Sequence, residues 1–278
     1  MPDLGKRQQT SYGSDATPKK VWAGRIYVWR GCSLYLGRAL DTTLHRHHAV
    51  QFCFCIDGEL KLRGSSDVPW TRCTSAIIAP DRPHEFDAEG GRVALFYLDP
   101  EYGGVAHSDD DHFGPTEFPP LSSATTEALR TILSAHTGEL PVDSANEIKQ
   151  NFIQSYILSE SAVRTNESMD PRIERALQIM RGLDDVKISL EDMASQVNLS
   201  ASRFGHLFSE TTSLPFRRYL LWLRLQRGLR LLSEGSNLTD AAHGSGFSDS
   251  SHLSHTFRDM FGMSPTDLVK YSEFIQAD

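Results

Sequence analysis

The sequence has no long apolar segment. Its longest apolar runs are short, such as residues 93–98, whereas a membrane-spanning helix needs about 20 such residues. The first twenty residues are polar, carry Lys6, Arg7, Lys19 and Lys20, and show no apolar core of a secretory leader. We therefore expect a cytoplasmic protein with no membrane partner.

Cysteine is scarce. The chain has four cysteines, Cys32, Cys53, Cys55 and Cys73. Thiols stay reduced in the cytosol, and no two pairs have the spacing of a zinc finger. The pattern favours small, buried, apolar side chains over a disulfide framework.

The chain also lacks a positive net charge. It has 28 Lys and Arg and 36 Asp and Glu, which gives a net charge of −8. Net charge of the whole chain reports on solubility, so its distribution is more informative about nucleic acid. Residues 200–230 contain one acid, Glu210, and several arginines. These are Arg203, Arg217, Arg218, Arg224, Arg227 and Arg230. Such a local basic cluster is typical of a DNA-binding surface.

The N-terminal half has the pattern of a β-rich domain, and 278 residues suit two domains. After an expected flexible arm at 1–20, short strand-like runs alternate with Gly, Pro and Asp. These runs are residues 25–29, 33–36, 50–56, 60–63, 75–78 and 93–98. Asp57-Gly58 predicts a tight hairpin with positive φ at both residues. Many short strands indicate a sandwich or barrel.

Helical periodicity replaces the β pattern after a Gly-, Asp- and Pro-rich loop at 101–120. Helices within 122–163 pack on the barrel or self-associate; the sequence leaves both open. We place the first domain at 21–163, a polar linker at 164–170, and a helical domain at 171–278 that opens at Pro171. The expected fold class is α+β.

Two segments of the helical domain repeat one design. Ser189-Leu-Glu-Asp192 and Asn237-Leu-Thr-Asp240 are helix starts of the capping-box type. Each is followed by a turn with a residue that tolerates positive φ, Asn198 or Gly246, and then by a second helix, 200–212 or 249–261. A continuous helix at 216–232 joins the repeats. The order predicts paired helix-turn-helix units.

Three stretches resemble the signature of AraC/XylS-type regulators. They are FRRYLLWLRLQRGLRLL (216–232), GFSDSSHLSHTF (246–257) and FGMSP (261–265), and the similarity covers roughly 172–271. The resemblance implies that the helices at 200–212 and 249–261 enter the major groove of double-stranded DNA. It also implies a homodimer that works with RNA polymerase.

Base edges are read by the outward, N-terminal face of a recognition helix. The predicted DNA-contacting residues are Ser202, Arg203, Gly205, His206, Ser250, Ser251, Ser254 and His255, with Arg217, Arg218 and Arg224 for phosphates. His206 and His255 stand where the family often carries Arg. Because a neutral His donates a single hydrogen bond whereas Arg reads guanine with two, we expect modest base specificity.

The segments His45-Arg46-His47 and Pro80-Asp-Arg-Pro-His84 resemble the two-part motif of cupin barrels. The resemblance implies a jelly-roll sensor domain and a divalent metal held by His45, His47 and His84. In metal-dependent cupins a Glu follows the first motif, but Gln51 occupies that position here. An amide is a poorer ligand than a carboxylate for a divalent ion, so the metal is in doubt.

Strand alternation extends the candidate pocket, because residues two apart share a face. The predicted effector-binding residues are His45, His47, Gln51, Cys53, Cys55, Trp70 and His84. Three interpretations stay open: a polar or aromatic organic effector, a soft metal or thiol-reactive signal, and a plain barrel core.

Catalysis is disfavoured, although cupin folds host dioxygenases and isomerases. A metalloenzyme needs a complete ligand set with an open position, and no P-loop, dinucleotide fingerprint or nucleophile elbow occurs in the sequence. We therefore predict a sequence-specific transcription regulator controlled by an effector in the barrel, and not an enzyme. The alternative is a cupin metalloenzyme, or a metal- or thiol-reactive sensor, fused to a DNA-binding domain.

Overall fold

The computed structural model describes residues 21–101, 118–136, 139–160, 169–183 and 187–277. The predicted arm at 1–20 and most of the predicted linker at 164–170 lie outside the described residues. In the described ranges, no helix has both the length and the apolar character that a bilayer crossing requires.

The N-terminal domain is built from two β-sheets. Its strands are β1 (Ala23–Trp29), β2 (Cys32–Arg38), β3 (Val50–Cys55), β4 (Leu60–Arg63), β5 (Thr71–Cys73), β6 (Ser75–Ile78), β7 (Glu85–Asp87) and β8 (Arg92–Leu98). A larger sheet has the order β6-β3-β8-β2-β1, and a smaller one the order β5-β4-β7. The pairs within these strands are antiparallel. The expected β-rich first domain is confirmed, with β5 and β7 as additions.

The Asp57-Gly58 turn does not form the predicted hairpin. Strand β3 pairs with β6 and β8, whereas β4 pairs with β5 and β7. Gly58 has φ +83°, but Asp57 is outside the positive-φ region, so the two-residue hairpin conformation is not formed. The prediction was wrong because this turn carries the chain from one sheet to the other.

Side-chain alternation along β3 agrees with the prediction. Cys53 and Cys55 belong to the core between the two sheets. Phe52 and Phe54 belong to a second core on the outer face, where α1 (Ser123–Ala135) and α2 (Val142–Glu160) cover the large sheet. The rings of Phe96 and Phe152 stack there at 5.1 Å. The helices whose packing the sequence left open therefore lie on the two-sheet N-terminal domain, hereafter called the barrel.

The C-terminal domain is helical, as predicted. Its helices are α3 (Pro171–Gly182), α4 (Leu190–Gln196), α5 (Ala201–Thr212), α6 (Phe216–Ser233), α7 (Leu238–Gly244), α8 (Ser250–Phe261) and α9 (Pro265–Tyr271). Ser189 Oγ accepts from the Asp192 N–H at 3.0 Å, and Asn237 Oδ1 accepts from the Asp240 N–H at 3.0 Å. These caps fix the starts of α4 and α7.

The two turns also match. Asn198 has φ +57° and Gly246 φ +88°, the left-handed conformation expected at a helix C-terminus. The recognition helices start at N-caps Ser200 and Asp249, so both predicted helix-turn-helix units are present.

The sequence did not predict a strand at residues 272–276. Residues after α9 form a strand, β9 (Ser272–Gln276), which pairs in parallel with β1 and becomes the edge of the large sheet of the N-terminal domain. Gly24 lies opposite Ser272, and Val28 opposite Gln276. The C-terminal domain is thus joined to the N-terminal sheet by backbone hydrogen bonds.

Candidate functional site

The first recognition helix, α5, presents a polar face to solvent. Phe204 and Phe208 are fully buried and hold the helix against its own domain. Ser202, Arg203 and His206 are exposed, and Gly205 is half-buried. The arrangement places the predicted side chains where DNA can reach them.

The second recognition helix, α8, has the same division. Leu253, Phe257 and Met260 are buried. Its predicted reading residues Ser251 and His255 are exposed, and Ser250 and Ser254 are half-buried. Asp259 Oδ2 lies 3.0 Å from His255 Nδ1. This exposed pair is screened by water and leaves the imidazole near the surface.

The arginines of α6 do not all face the same surroundings. Arg217 is exposed and Arg224 is half-buried. Arg218 instead points at the barrel, where its guanidinium donates to the Arg46 carbonyl at 3.5 Å and lies 3.9 Å from Asp81. The expected phosphate contact of Arg218 therefore competes with a contact between domains.

Behind α8, three histidines come together. One ring nitrogen from each of His45, His47 and His84 lies within 4.8 Å of those of the others, and all three residues are buried. The ring centroids are 4.1 Å apart for His45 and His84, 5.1 Å for His47 and His84, and 5.8 Å for His45 and His47. The backbones of His45 and His84 pair in an isolated antiparallel β-bridge, which positions two of the three histidines.

Backbone carbonyls determine which nitrogen of each ring carries the proton. The Nδ1 atoms of His45, His47 and His84 lie 2.8 Å, 3.0 Å and 2.8 Å from the carbonyls of Thr43, Ala49 and Arg82. A carbonyl only accepts, so each Nδ1 carries the hydrogen, and Nε2 of a neutral ring keeps its lone pair.

Burial keeps these rings neutral. It lowers the pKa of His45 to about 3, with His47 adding to the effect. Burial likewise lowers the pKa of His47 and His84. At neutral pH the cluster therefore offers lone pairs and no charge.

Of the remaining predicted pocket residues, some lie at the histidine cluster and others lie away from it. The Gln51 amide lies in the cluster, with Oε1 2.9 Å from His47 Nε2, and its amide nitrogen is 3.4 Å from Cys53 Sγ. Cys55 ends β3, where its thiol donates to the Asp57 carbonyl at 3.0 Å. Trp70 is 37% exposed, with a guanidinium 4.4 Å above its ring. Its expected position in the pocket is wrong, because the chain before β5 runs along the surface.

The C-terminal end of α8 closes the cluster. Thr43 donates to the Gly262 carbonyl through its N–H at 2.9 Å and its hydroxyl at 3.1 Å. The ring of Phe261 lies 5.7 Å from that of His47. A Cβ on Gly262 would lie 2.5 Å from His45 Nδ1. The last turn of the recognition helix is therefore one wall of the histidine cluster.

A charged network joins the two domains beside this wall. His48 Nε2 lies 2.8 Å from Glu101 Oε1, and Arg181 Nη2 lies 3.4 Å from Glu101 and 3.5 Å from Asp99. Burial opposes a charge on His48, but Glu101 and Asp81 raise its pKa to about 10. His48 is thus a cation, in contrast to its neighbour His47.

Sequence reasoning missed these contacts between the domains. The one available signal was the third histidine of the His45-Arg46-His47-His48 run, whose side chain alternates to the other face. Phe261 and Gly262 were recognised as part of a family signature, without a role toward the barrel. Nothing local in the sequence relates them to residues more than 200 positions away.

Known proteins resemble this chain over its helix-turn-helix domain, and one named below resembles it over most of its length. A helix-turn-helix domain family matches residues 193–271. The probable transcriptional regulator LumQ of Photobacterium leiognathi is 27% identical over 241 residues, 84% of this chain and 93% of LumQ. The transcriptional activator RhaS of Escherichia coli is 31% identical over 134 residues, 47% of each chain. The chain thus spans about half of RhaS, and 38% of the Msm operon regulatory protein of Streptococcus mutans.

Solved structures show the same fold. An apo structure of a ToxT variant from Vibrio cholerae superposes with a TM-score of 0.60 at 10% identity, over 88% of this chain and 99% of ToxT. Another ToxT structure, with an unsaturated fatty acid bound, gives a TM-score of 0.57 at 11% identity, over 86% of this chain and 94% of ToxT.

The matched helix-turn-helix domain and the similarity to named regulators place the chain in the class of helix-turn-helix transcription regulators. Within that class the chain is similar to the regulators LumQ and RhaS.

Proposed function

We propose that this protein binds specific DNA sites as a cytoplasmic homodimer, works with RNA polymerase, and is controlled by an effector at the histidine cluster. It is a regulator and not an enzyme, because burial lowers the pKa of the three histidines below the range that suits a general base at neutral pH. The homologues named above, which are transcription regulators, support the same conclusion.

A single observation carries the regulatory part. Helix α8 has its DNA-facing residues in its first two turns and ends at Phe261 and Gly262 against the histidines. Twelve residues of α-helix are about 18 Å long, so one rigid element connects the cluster to the DNA surface. A ligand that alters the cluster must shift or release this helix.

Control requires the effector to bind two arrangements of the domains with different affinity. The described structure supplies one, in which α8 and β9 of the C-terminal domain are held against the N-terminal domain. The ToxT structure that contains an unsaturated fatty acid supports small-ligand binding on this fold. The other arrangement has α8 detached from Thr43.

DNA reading is assigned to both recognition helices. The joining helix α6 has 18 residues, about 27 Å, which suits units that address successive turns of a duplex with a repeat of about 34 Å. His206 and His255 supply base contacts, and Arg203, Arg217 and Arg224 supply phosphate contacts.

The test is a change of His206 and His255 to Ala in the full chain. Preference for a site selected from a random DNA library over unselected DNA should fall roughly 10- to 100-fold, the loss of one or two base contacts of about 1–3 kcal/mol each. Affinity for unselected DNA should change little. Fluorescence anisotropy on both DNAs measures the ratio.

His136→Ala is the matched control, since His136 caps α1 on the barrel and should leave the ratio unchanged. Equal loss on both DNAs in the double variant would contradict base reading by these histidines.

A further inference from the structure

We propose that the C-terminal strand β9, together with α9, is a latch that opens as a unit and releases the second helix-turn-helix unit from the barrel while both domains stay folded. The inference rests on the proposed function only for its effect on DNA binding, since opening is measured on the free protein. It gives the second arrangement of the domains a physical origin.

Two attachments hold the C-terminal end of the chain to the barrel, one on each side of α9. Before α9, the Thr43 N–H donates to the Gly262 carbonyl at 2.9 Å. After α9, β9 pairs in parallel with β1, and the Ala277 N–H donates to the Val28 carbonyl at 3.1 Å. Helix α9 has seven residues, about 10 Å. Because so short an element separates them, we expect the two attachments to open together.

The side chains of β9 contact a different core on each face of the strand. Phe274 packs against the core inside the barrel and lines a small apolar cavity with Phe257 of α8 and Leu268 of α9. Ile275 and Ala277 face the outer core that α1 and α2 cover. Strand alternation therefore joins the second unit on one face to the barrel helices on the other. Loss of the pairing with β1 would remove both contacts at once.

Strand β9 is held more weakly than the central strands of its sheet. It has five residues and lies at the edge, so among the described residues it pairs with β1 alone, whereas β8 pairs with β2 and β3 on its two sides. Arg25 Nε lies 2.9 Å from Glu273 Oε2, but the Glu273 side chain is 61% exposed, and exposed ion pairs contribute little. Local stability is low where buried contacts are few, so β9 is expected to open before the sheet does.

One buried group opposes closure of the latch. Ser272 Oγ, at the start of β9, is shielded from solvent and has no hydrogen-bond partner within the described part of the chain. On closure the hydroxyl gives up its hydrogen bonds to water without replacement, and on opening it regains them. The hydroxyl therefore destabilises the closed state relative to the open one, which favours reversible opening.

The experiment is amide hydrogen exchange of the full chain, followed by mass spectrometry. Peptides that cover residues 272–278, residues 258–266 and β8 report on the strand, the C-terminal end of α8 and the central sheet. In the wild type, the amides of β9 should exchange at least about tenfold faster than those of β8, because a local opening needs less free energy than unfolding of the sheet.

Two substitutions should shift the opening in opposite directions. Ser272→Ala removes the unpartnered hydroxyl and should slow exchange in β9 about fivefold, the lower end of what such a group costs, a gain in protection that misfolding cannot mimic. Phe274→Ala should accelerate exchange about tenfold or more in β9 and at the end of α8, through loss of apolar burial, with β8 unchanged. Phe118→Ala is the matched control. Phe118 packs half-buried against the same core but lies outside the latch, so β9 should keep its wild-type rate.

Equal exchange rates of β9 and β8 in the wild type would overturn the latch, since the strand would then open only when the sheet unfolds. Unchanged exchange of β9 in Ser272→Ala would overturn the role of the hydroxyl. Faster exchange of β9 without the end of α8 in Phe274→Ala would overturn the joint opening of the two attachments. If Phe274→Ala opens the latch as expected while its affinity for a selected DNA site stays at the wild-type value, the latch stands and the proposed control of DNA binding fails.

Discussion

The two helix-turn-helix units share one local design but differ in their surroundings. The first unit, α4 and α5, has a core of its own, formed with α3 and α6 by residues such as Ile173, Met193, Phe208 and Leu223. The second unit, α7 and α8, has no such separate cluster among the described residues. Its Phe257 and Phe261 belong to the core inside the barrel.

The difference shows how a repeat is adapted to regulation. Caps, turns and reading faces depend on a few neighbouring residues, so both units keep them. Packing depends on distant partners. Among the described residues, Phe261 of the second unit contacts Tyr97 of the barrel, and Phe257 and Phe261 belong to the same core as Trp22. The helices that pack with the first unit, α3 and α6, make charged contacts with the barrel at Arg181 and Arg218. We infer that the second unit transmits the signal.

The largest expected effect is the loss of a buried aromatic ring. Phe261→Ala should lower the free energy of unfolding by about 3–5 kcal/mol, because the ring packs against His47, Tyr97, Trp222 and Phe257. Amide hydrogen exchange in β8 should accelerate. Chemical denaturation and exchange mass spectrometry measure the two effects.

Phe208→Ala is the counterpart in the first unit. It should cost a similar free energy, since Phe208 packs against Phe204, Phe216 and Tyr219, yet leave exchange in β8 near the wild-type rate. If both variants loosen β8 equally, the two units do not differ in their coupling to the barrel.

A smaller effect is expected at the junction itself. Gly262→Ala places a Cβ at 2.5 Å from His45 Nδ1 and 2.5 Å from the Thr43 carbonyl, at φ +69°. We expect a cost of about 1–3 kcal/mol, detachment of α8 from Thr43, and faster exchange in β9. Exchange mass spectrometry detects the detachment.

Gly235→Ala is the control that separates the effect of backbone strain from the effect of a contact with the barrel. Gly235 follows α6 at φ +95°, but nothing lies within 4 Å of its Cβ position. It should cost about 1 kcal/mol without affecting β9. Detachment of β9 in this variant as well would mean that backbone strain, and not the barrel contact, explains the effect.

The smallest effect distinguishes two neighbouring arginines. Arg217→Ala should reduce the slope of log affinity against log salt by about 1, as loss of one phosphate contact does. Arg218→Ala should change the slope less, because Arg218 is engaged with Arg46 and Asp81. Titration of DNA at several salt concentrations measures both slopes, and the reverse order would contradict the assignment.

Much of the fold could be predicted because its signals are local. The caps at Ser189 and Asn237, the positive φ of Asn198 and Gly246, and the alternation of Phe52 and Cys53 each depend on residues a few positions apart. The Asp57-Gly58 turn shows the limit. The dipeptide permits a hairpin, but pairing partners elsewhere in the sheets decide whether one forms.

The candidate site, too, was predicted in part from the sequence. The resemblance to the two-part cupin motif indicated His45, His47 and His84, and strand periodicity added Gln51 on the same face. It also separated the reading faces of α5 and α8 from their buried faces.

The tertiary structure decided what these groups contact. The pairing of β9 with β1, the wall formed by Phe261 and Gly262, and the meeting of Arg181 with Glu101 join residues 80 to about 250 positions apart. Such contacts depend on the shape and charge of two folded surfaces. No periodicity or spacing along the chain encodes them, so only the assembled fold reveals that the N-terminal sheet domain and the second helix-turn-helix unit share one core.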